Sequence, residues 1–252
     1  MSFWDNFHKD HLIAAHRGDR YTSAENTMEA FENSIGKCDF VEFDVGFSKD
    51  GVAVILHDDT LERTSDADKL NGFYPPYNLY DYNYKQLLEL NMDKRSTKKQ
   101  QIPTLKETLL FFRSQNMPVN VEIKDLKKTK FDKIATKVVT ETIKECDMIE
   151  MTMLSSFNHN YLREAKKISP QITTAALQEK KHPKECLKYL KELNVSSYNI
   201  DKTIMDKKII QELKNEGIYT CVYTINSQKE LKKAFSLGVE AVFTDYLEDM
   251  PL

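Results

Sequence analysis

The sequence predicts an α/β chain closed into a single (β/α)8 barrel, on three grounds. Short apolar runs rich in β-branched and aromatic residues alternate with longer charged segments whose apolar residues recur at helical spacing. Eight such units fit the 252 residues, close to the roughly 250 that one such barrel takes. No G-x-G-x-x-G and no P-loop is present to mark the nucleotide crevice of an open, doubly wound sheet.

Taken in order, the apolar runs predict strands over residues 12–15, 40–47, 119–123, 149–154, 172–177, 197–200, 219–225 and 241–243. Helical spacing places helices over 26–35, 105–113, 131–144, 160–167, 183–193, 207–215 and 228–235. Gly217 and Gly238 sit just past two of these helix ends, where a left-handed cap is wanted. One segment breaks the rhythm. A short extra run, 52–56, leads into His57, and 58–103 then has little strand pattern. So long a connection within a compact domain has a function of its own or is mobile. We read it as a small insertion on one barrel face, after the second strand region, within a single domain spanning 1–252. It contains the tyrosine-rich stretch YPPYNLYDYNY, Tyr74 to Tyr84.

With 36 basic and 39 acidic side chains the net charge is −3, which argues against a nucleic-acid partner. An anionic ligand would have to be drawn by local cations or a metal ion. The four cysteines, at 38, 146, 186 and 221, have no metal-ligand spacing and read as reduced thiols. The first residues lack the basic and apolar regions of a signal peptide, and no run reaches the ~18 apolar residues of a membrane span. A cytoplasmic protein without stable membrane anchoring is expected. Phe3, Trp4 and Phe7 are expected to plug the barrel floor rather than touch a membrane. Whether the chain forms a homo-oligomer is left open by the sequence.

Catalytic groups of such barrels sit at the C-terminal ends of strands. There the sequence offers His16-Arg17-Gly18, then Glu42 and Asp44 two residues apart on one strand face, then His57-Asp58, then Glu122 and Lys124 on one face. Ser155-Ser156, Asn199, Thr224, Asn226 and Asp245 occupy later strand ends. Three inward carboxylates repel one another unless compensated. Glu42, Asp44 and Glu122 make an all-oxygen set suited to one Mg²⁺ or Ca²⁺. Arg17 and Lys124 would then bind phosphate oxygens, and His16 and His57 would exchange protons near neutral pH. Plainer readings stand beside these: structural histidines, outward strand carboxylates, and a surface Glu122–Lys124 pair. Thr22 and Glu25 have capping-box spacing, so Glu25 and Asn26 are expected to open the first helix. The tyrosines can be packing, or flat faces over the barrel mouth.

At this point the blocks HRGDRYTSAENTMEAFENSI (16–35) and FVEFDVGFSKDGVAVILHDDTLERTS (40–65) can be compared with known signatures. Followed in order by IPTLKETL, VNVEIK, LSSFNHNYL, VYTIN and FTDY, the sequence resembles the glycerophosphodiester phosphodiesterase family, in its short cytosolic form. The resemblance covers nearly the whole chain. It implies a TIM barrel that hydrolyses glycerophosphodiesters to glycerol phosphate and an alcohol. Carried over by position, His16 and His57 become the acid–base pair, Glu42, Asp44 and Glu122 the metal ligands, and Arg17 and Lys124 the phosphate holders. It also implies attack by a neighbouring substrate hydroxyl, giving a cyclic phosphate that water opens. Related barrels cleave lysophospholipids or stop at the cyclic phosphate, which gives a runner-up reading. A non-catalytic binding barrel would require a lost catalytic group, and none is lost. Ala24, Tyr223 and Leu247 depart from the family pattern, and Tyr223 leaves the pocket wall open to question. On this reading the 58–103 segment folds over the mouth, and its tyrosines choose the head group by cation–π contact.

Overall fold

Eight strands pair in parallel and close into a ring in the computed structural model, which describes residues 2–250. They are β1 (Leu12–His16), β2 (Phe40–Phe47), β4 (Val119–Ile123), β5 (Thr152–Ser156), β6 (Thr173–Gln178), β7 (Ser197–Asp201), β8 (Tyr219–Tyr223) and β9 (Ala241–Thr244). Closure comes from β9 pairing with β1 and β1 with β2. The short β3 (Ala53–Ile55) lies outside the ring and runs antiparallel to the end of β2. Helices α1 (Met28–Ser34), α3 (Leu105–Ser114), α4 (Ala135–Glu145), α5 (His159–Ile168), α6 (Cys186–Leu193), α7 (Lys207–Asn215) and α8 (Gln228–Leu237) connect the ring strands. The expected (β/α)8 barrel is the observed fold.

Strand alternation divides the core in two. Val41, Phe43 and Val45 of β2 belong to the large apolar cluster shared with Phe31, Leu109 and Phe112 of the surrounding helices. Phe40, by contrast, belongs to an inner cluster with Leu12, Ala14, Met153, Ala175, Cys221, Ala241 and Phe243. Phe3 and Trp4 join this inner cluster, and Phe7 packs against it. Phe3 meets the Phe40 ring edge to face at 5.3 Å, and its N–H donates to Thr173 Oγ1 at the start of β6. The three N-terminal aromatics therefore plug the floor of the barrel, as expected.

Several element boundaries differ from expectation. The fourth ring strand, β5, starts at Thr152, because 149–151 forms a 3-10 turn after the left-handed Asp147 that closes α4. The first helix starts at Met28, capped by Thr27, whose side chain accepts from the Ala30 N–H. Gly217 and Gly238 both have positive φ, and Gly238 caps α8.

The 58–103 segment has structure that the sequence did not signal. It carries two 3-10 turns and α2 (Tyr84–Leu87). Leu61, Ala67, Phe73, Leu79, Tyr82, Leu87, Leu90 and Ile102 pack with Val54 and Leu56 in a cluster of their own. Their irregular spacing has neither a period of two nor of 3.6, so the pattern reading missed them.

Phe3 is fully buried at the end of the barrel opposite the strand termini that carry the site. Phe3→Ala should lower unfolding free energy by about 3–5 kcal/mol while leaving turnover within about twofold. Urea melts and steady-state rates on the same preparation check both halves.

Candidate functional site

The site begins with where β1 stops. His16, its last residue, lies opposite Glu42 in the β1–β2 ladder. Beyond that point β2 has no β1 partner, and β3 takes its edge, with Val45 opposite Ile55. The Leu56 N–H donates to the Asp44 carbonyl at 3.0 Å, which delivers His57 to the rim above β1. After His16 the chain turns sharply through two left-handed residues, Arg17 (φ 62) and Gly18 (φ 78). A side chain at Gly18 would meet the Ala30 backbone carbonyl carbon at 2.8 Å, so only glycine lets α1 pack here. The turn aims the Arg17 N–H at Glu42 Oε2, 3.0 Å away.

Glu42 and Asp44 face inward from β2, and Glu122 faces them from β4, where it is the ladder partner of Asp44. One carboxylate oxygen from each lies within 4.8 Å of the others. Lys124 Nζ donates to Glu122 Oε1 at 2.7 Å and to Asp44 Oδ1 at 3.3 Å. Asn26 Nδ2 donates to Asp44 Oδ2 at 3.0 Å, and Arg17 Nε lies 3.2 Å from the same oxygen. Burial pushes Glu42 well above the usual carboxylate range, and the charges of Asp44 and Glu122 push it further. Burial raises Glu122 too, outweighing Lys124. Asp44 is equally buried, yet Lys124 and Arg17 hold it below its usual range. One lysine thus serves two carboxylates, the closer being Glu122, and Asp44 has Arg17 and Asn26 besides.

Each histidine is held from behind. His16 Nδ1 lies 2.7 Å from Asp245 Oδ1, and His57 Nδ1 lies 2.6 Å from Asp58 Oδ1. That leaves Nε2 of each ring as the atom free to exchange a proton. Burial depresses the His16 imidazolium, and the bond to Asp245 only partly offsets it. Burial would raise Asp245, but His16, Arg20 and Asn226 together keep it well below its usual range. Asn226 fixes it doubly, donating to Oδ2 at 2.8 Å and accepting from the Asp245 N–H at 2.9 Å.

His16, Arg17, Glu42, His57, Glu122 and Lys124 all line one cleft of about 220 Å³, with Asp44 directly beneath. Every site residue expected from the sequence is brought together. Other expectations need correction. Glu25 and Asn26 cap nothing. Asn26, with φ 58 and its N–H on the Arg17 carbonyl, turns its amide to Asp44. Glu25 accepts from Arg17, Arg20 and Arg63. The sequence spacing fitted a cap, but the cap is Thr27. Nor do the tyrosines of 74–84 line the cleft: Tyr82 bonds the Tyr74 backbone, Tyr84 donates to the Ile102 carbonyl, and Tyr74 is exposed. The segment flanks the mouth, with Leu79 and Tyr80 beside His57. The aromatic walls of the cleft are Phe157 and Tyr223, with Leu177 and Glu179. Asn199 and Ser156 also stay out of the cleft: Asn199 Oδ1 accepts from Ser197 while its buried Nδ2 finds no partner, and Ser156 donates to the Ile123 carbonyl.

A parallel barrel with paired histidines, clustered carboxylates and flanking cations at its C-terminal mouth defines a hydrolase built for an anionic ester. Comparison with known proteins gives the family. The profile of the glycerophosphoryl diester phosphodiesterase family matches residues 16–249, so the chain belongs to that family and is a phosphoric diester hydrolase. It is 31% identical over 242 residues to a glycerophosphodiester phosphodiesterase of Bacillus altitudinis, covering 93% of this chain and 94% of the relative. A Caldanaerobacter subterraneus glycerophosphodiester phosphodiesterase is 27% identical over 240 residues, with 93% of each chain covered. Among solved structures, an Oleispira antarctica phosphodiesterase in complex with the product sn-glycerol-3-phosphate superposes with a TM-score of 0.85 at 25% identity, covering 98% of this chain and 97% of that one. Among the described residues no helix is long and apolar enough to cross a membrane.

Glu25 gives a pH test of the site. Burial would raise it, but the Arg63 hydrogen bond and the charges of Arg17 and Arg20 lower it from 4.5 to about 2. A depressed carboxylate stabilises the fold fully above its unfolded value and loses that effect as pH falls through the folded one. The stability advantage of wild type over Glu25→Gln should therefore be complete at neutral pH and shrink between about pH 4.5 and about 2. Urea midpoints of both proteins across that range measure it. An advantage independent of pH would show that Glu25 acts without its charge.

Proposed function

We propose that this hydrolase cleaves glycerophosphodiesters to glycerol phosphate and an alcohol by acid–base catalysis between His16 and His57. The observation that carries the reading is their shared arrangement. Each ring is anchored at Nδ1 by its own carboxylate, and both rings line the cleft that also holds Arg17 and Lys124. One imidazole accepts the proton of the substrate hydroxyl beside the phosphate. The other gives a proton to the departing alkoxide, so no free alkoxide is released. When water opens the cyclic phosphate the two rings exchange roles and return to their starting protonation. Arg17 and Lys124 hold non-bridging oxygens and meet the charge that grows there. The product bound in the Oleispira antarctica relative supports glycerol phosphate as the product here.

The residues present fit one divalent cation. Six carboxylates (Glu25, Glu42, Asp44, Asp58, Glu122 and Asp245) are linked at the mouth to four permanent cations, Arg17, Arg20, Arg63 and Lys124. The deficit is two positive charges. Glu42 and Glu122, the carboxylates that the cations satisfy least, belong to the group whose oxygens converge. Glu42, Asp44 and Glu122 would hold Mg²⁺ or Ca²⁺, which when bound supplies positive charge toward phosphoryl oxygens. We further take the barrel and the 58–103 segment as one domain, with the segment as an insertion that supplies partners to the rim.

Incubation with glycerophosphocholine, read by a coupled glycerol-3-phosphate assay, tests the reading. Chelator should abolish turnover, and added Mg²⁺ or Ca²⁺ should restore it. His16→Ala and His57→Ala should each lose at least about two orders of magnitude in turnover while melting as wild type does. Near-wild-type turnover in either variant, or in metal-free protein, overturns the corresponding role. Arg17→Lys keeps the charge but loses the planar fork, so kcat should fall more than KM rises.

A further inference from the structure

The carboxylates behind the two histidines are joined. From Asp245, which holds His16, Arg20 reaches Oδ1 at 3.1 Å and turns its other nitrogen to Glu25. From Asp58, which holds His57, Arg63 takes both oxygens, at 2.6 and 2.9 Å. The same guanidinium takes both oxygens of Glu25, at 3.0 and 2.6 Å. The chain His16–Asp245–Arg20–Glu25–Arg63–Asp58–His57 is therefore unbroken, every link a charge-assisted hydrogen bond or an ion pair. Glu25 stands at its midpoint with a side chain only 9% exposed. Its links come from three places in the sequence: the β1–α1 loop, the segment after β3, and the end of β9.

We propose that Glu25 is a positioning residue that couples the two histidines, with Arg20 and Arg63 carrying its hold to Asp245 and Asp58. The inference rests on the reading of His16 and His57 as the acid–base pair. Its physical basis is reciprocity. A guanidinium that bonds two carboxylates in its plane fixes their relative orientation, and two such groups sharing Glu25 tie the aim of one ring to the aim of the other. Neither Arg20 nor Arg63 needs to touch substrate for this. The arrangement also gives the 58–103 segment a role that its tyrosines do not fill: Arg63 bolts it to the loop after β1.

Remote coupling has a signature that independent local supports lack. In ¹⁵N-labelled protein the Nδ1–H protons of His16 and His57 report their bonds to Asp245 and Asp58. Arg63→Met should shift or broaden the His16 signal as well as that of His57, although Arg63 has no contact with His16 or Asp245. Arg20→Met should disturb the His57 signal in the same way. Each variant should lower kcat on the order of tenfold or more, with KM within about twofold. The double variant should be within about twofold of the worse single one, because either break disconnects the bridge, whereas independent supports would multiply their losses. Arg63→Lys should not rescue, since it keeps charge without the fork. Should a Met variant lose its cooperative melt, Arg63→Lys and Glu25→Asp are judged by the same two criteria. Disturbance confined to the nearer histidine, or losses that multiply, overturns the proposal. A wild-type protein that leaves glycerophosphodiesters intact would overturn the proposed reaction instead, while the resonance criterion would still decide the coupling.

Discussion

The mouth of this barrel depends on one constraint, the hydrogen-bond register between β1 and β2. His16 is the last β1 residue and stands opposite Glu42, so the final residues of β2 lose their partner on that side. Unpaired backbone groups at this depth are costly, and β3 satisfies them by running back along the edge. His57 follows directly from that return. Two histidines 41 positions apart in sequence thus meet because one strand is shorter than its neighbour. A longer β1 would occupy the edge and leave no slot for β3.

Electrostatics then constrains what the register assembles. Inward alternation brings Glu42, Asp44 and Glu122 together beneath a rim that also carries Glu25, Asp58 and Asp245. Anions at this density need fixed cations, and each available cation is shared. Lys124 bridges two carboxylates, Arg17 touches Asp44 and Glu25, and Arg20 and Arg63 each span two. Sharing leaves Glu42 and Glu122 least satisfied, at the position where a divalent ion would complete the balance. The same sharing links the rim groups to one another, because each guanidinium contacts two carboxylates.

At the far end the barrel is closed by a different interaction. The inner face of the strands is apolar at its base, and Phe3, Trp4 and Phe7 cover it, with Trp4 stacked on Tyr219 at 3.9 Å. The division of labour along each strand is visible in β2 alone. Phe40 faces the floor, Glu42 and Asp44 face the mouth, and Val41, Phe43 and Val45 face the helices. Stability and chemistry therefore draw on different residues of one strand.

Read alone, the sequence determined the alternation of strands and helices, which residues of each key strand share a face and the residues at its end. These are properties of one segment at a time, set by a period of two or of 3.6. That is why His16, Arg17, Glu42, Asp44, His57, Glu122 and Lys124 could be named before any fold was seen. Tertiary structure alone decided what each residue meets. Capping spacing pointed Glu25 and Asn26 to a helix end, while the folded chain gave that end to Thr27, sent Asn26 to Asp44 and set Glu25 among three arginines. Tyr74–Tyr84 offered aromatic faces in sequence, yet the cleft took its walls from Phe157 and Tyr223 on the other side of the ring. Arg63 stood within the block that carried the resemblance, but its role did not show, since its partners lie 5 and 38 positions away. Periodicity fixes which side chains share a face. Only the closed ladder and the packing of its loops fix which distant charges lie within bonding distance.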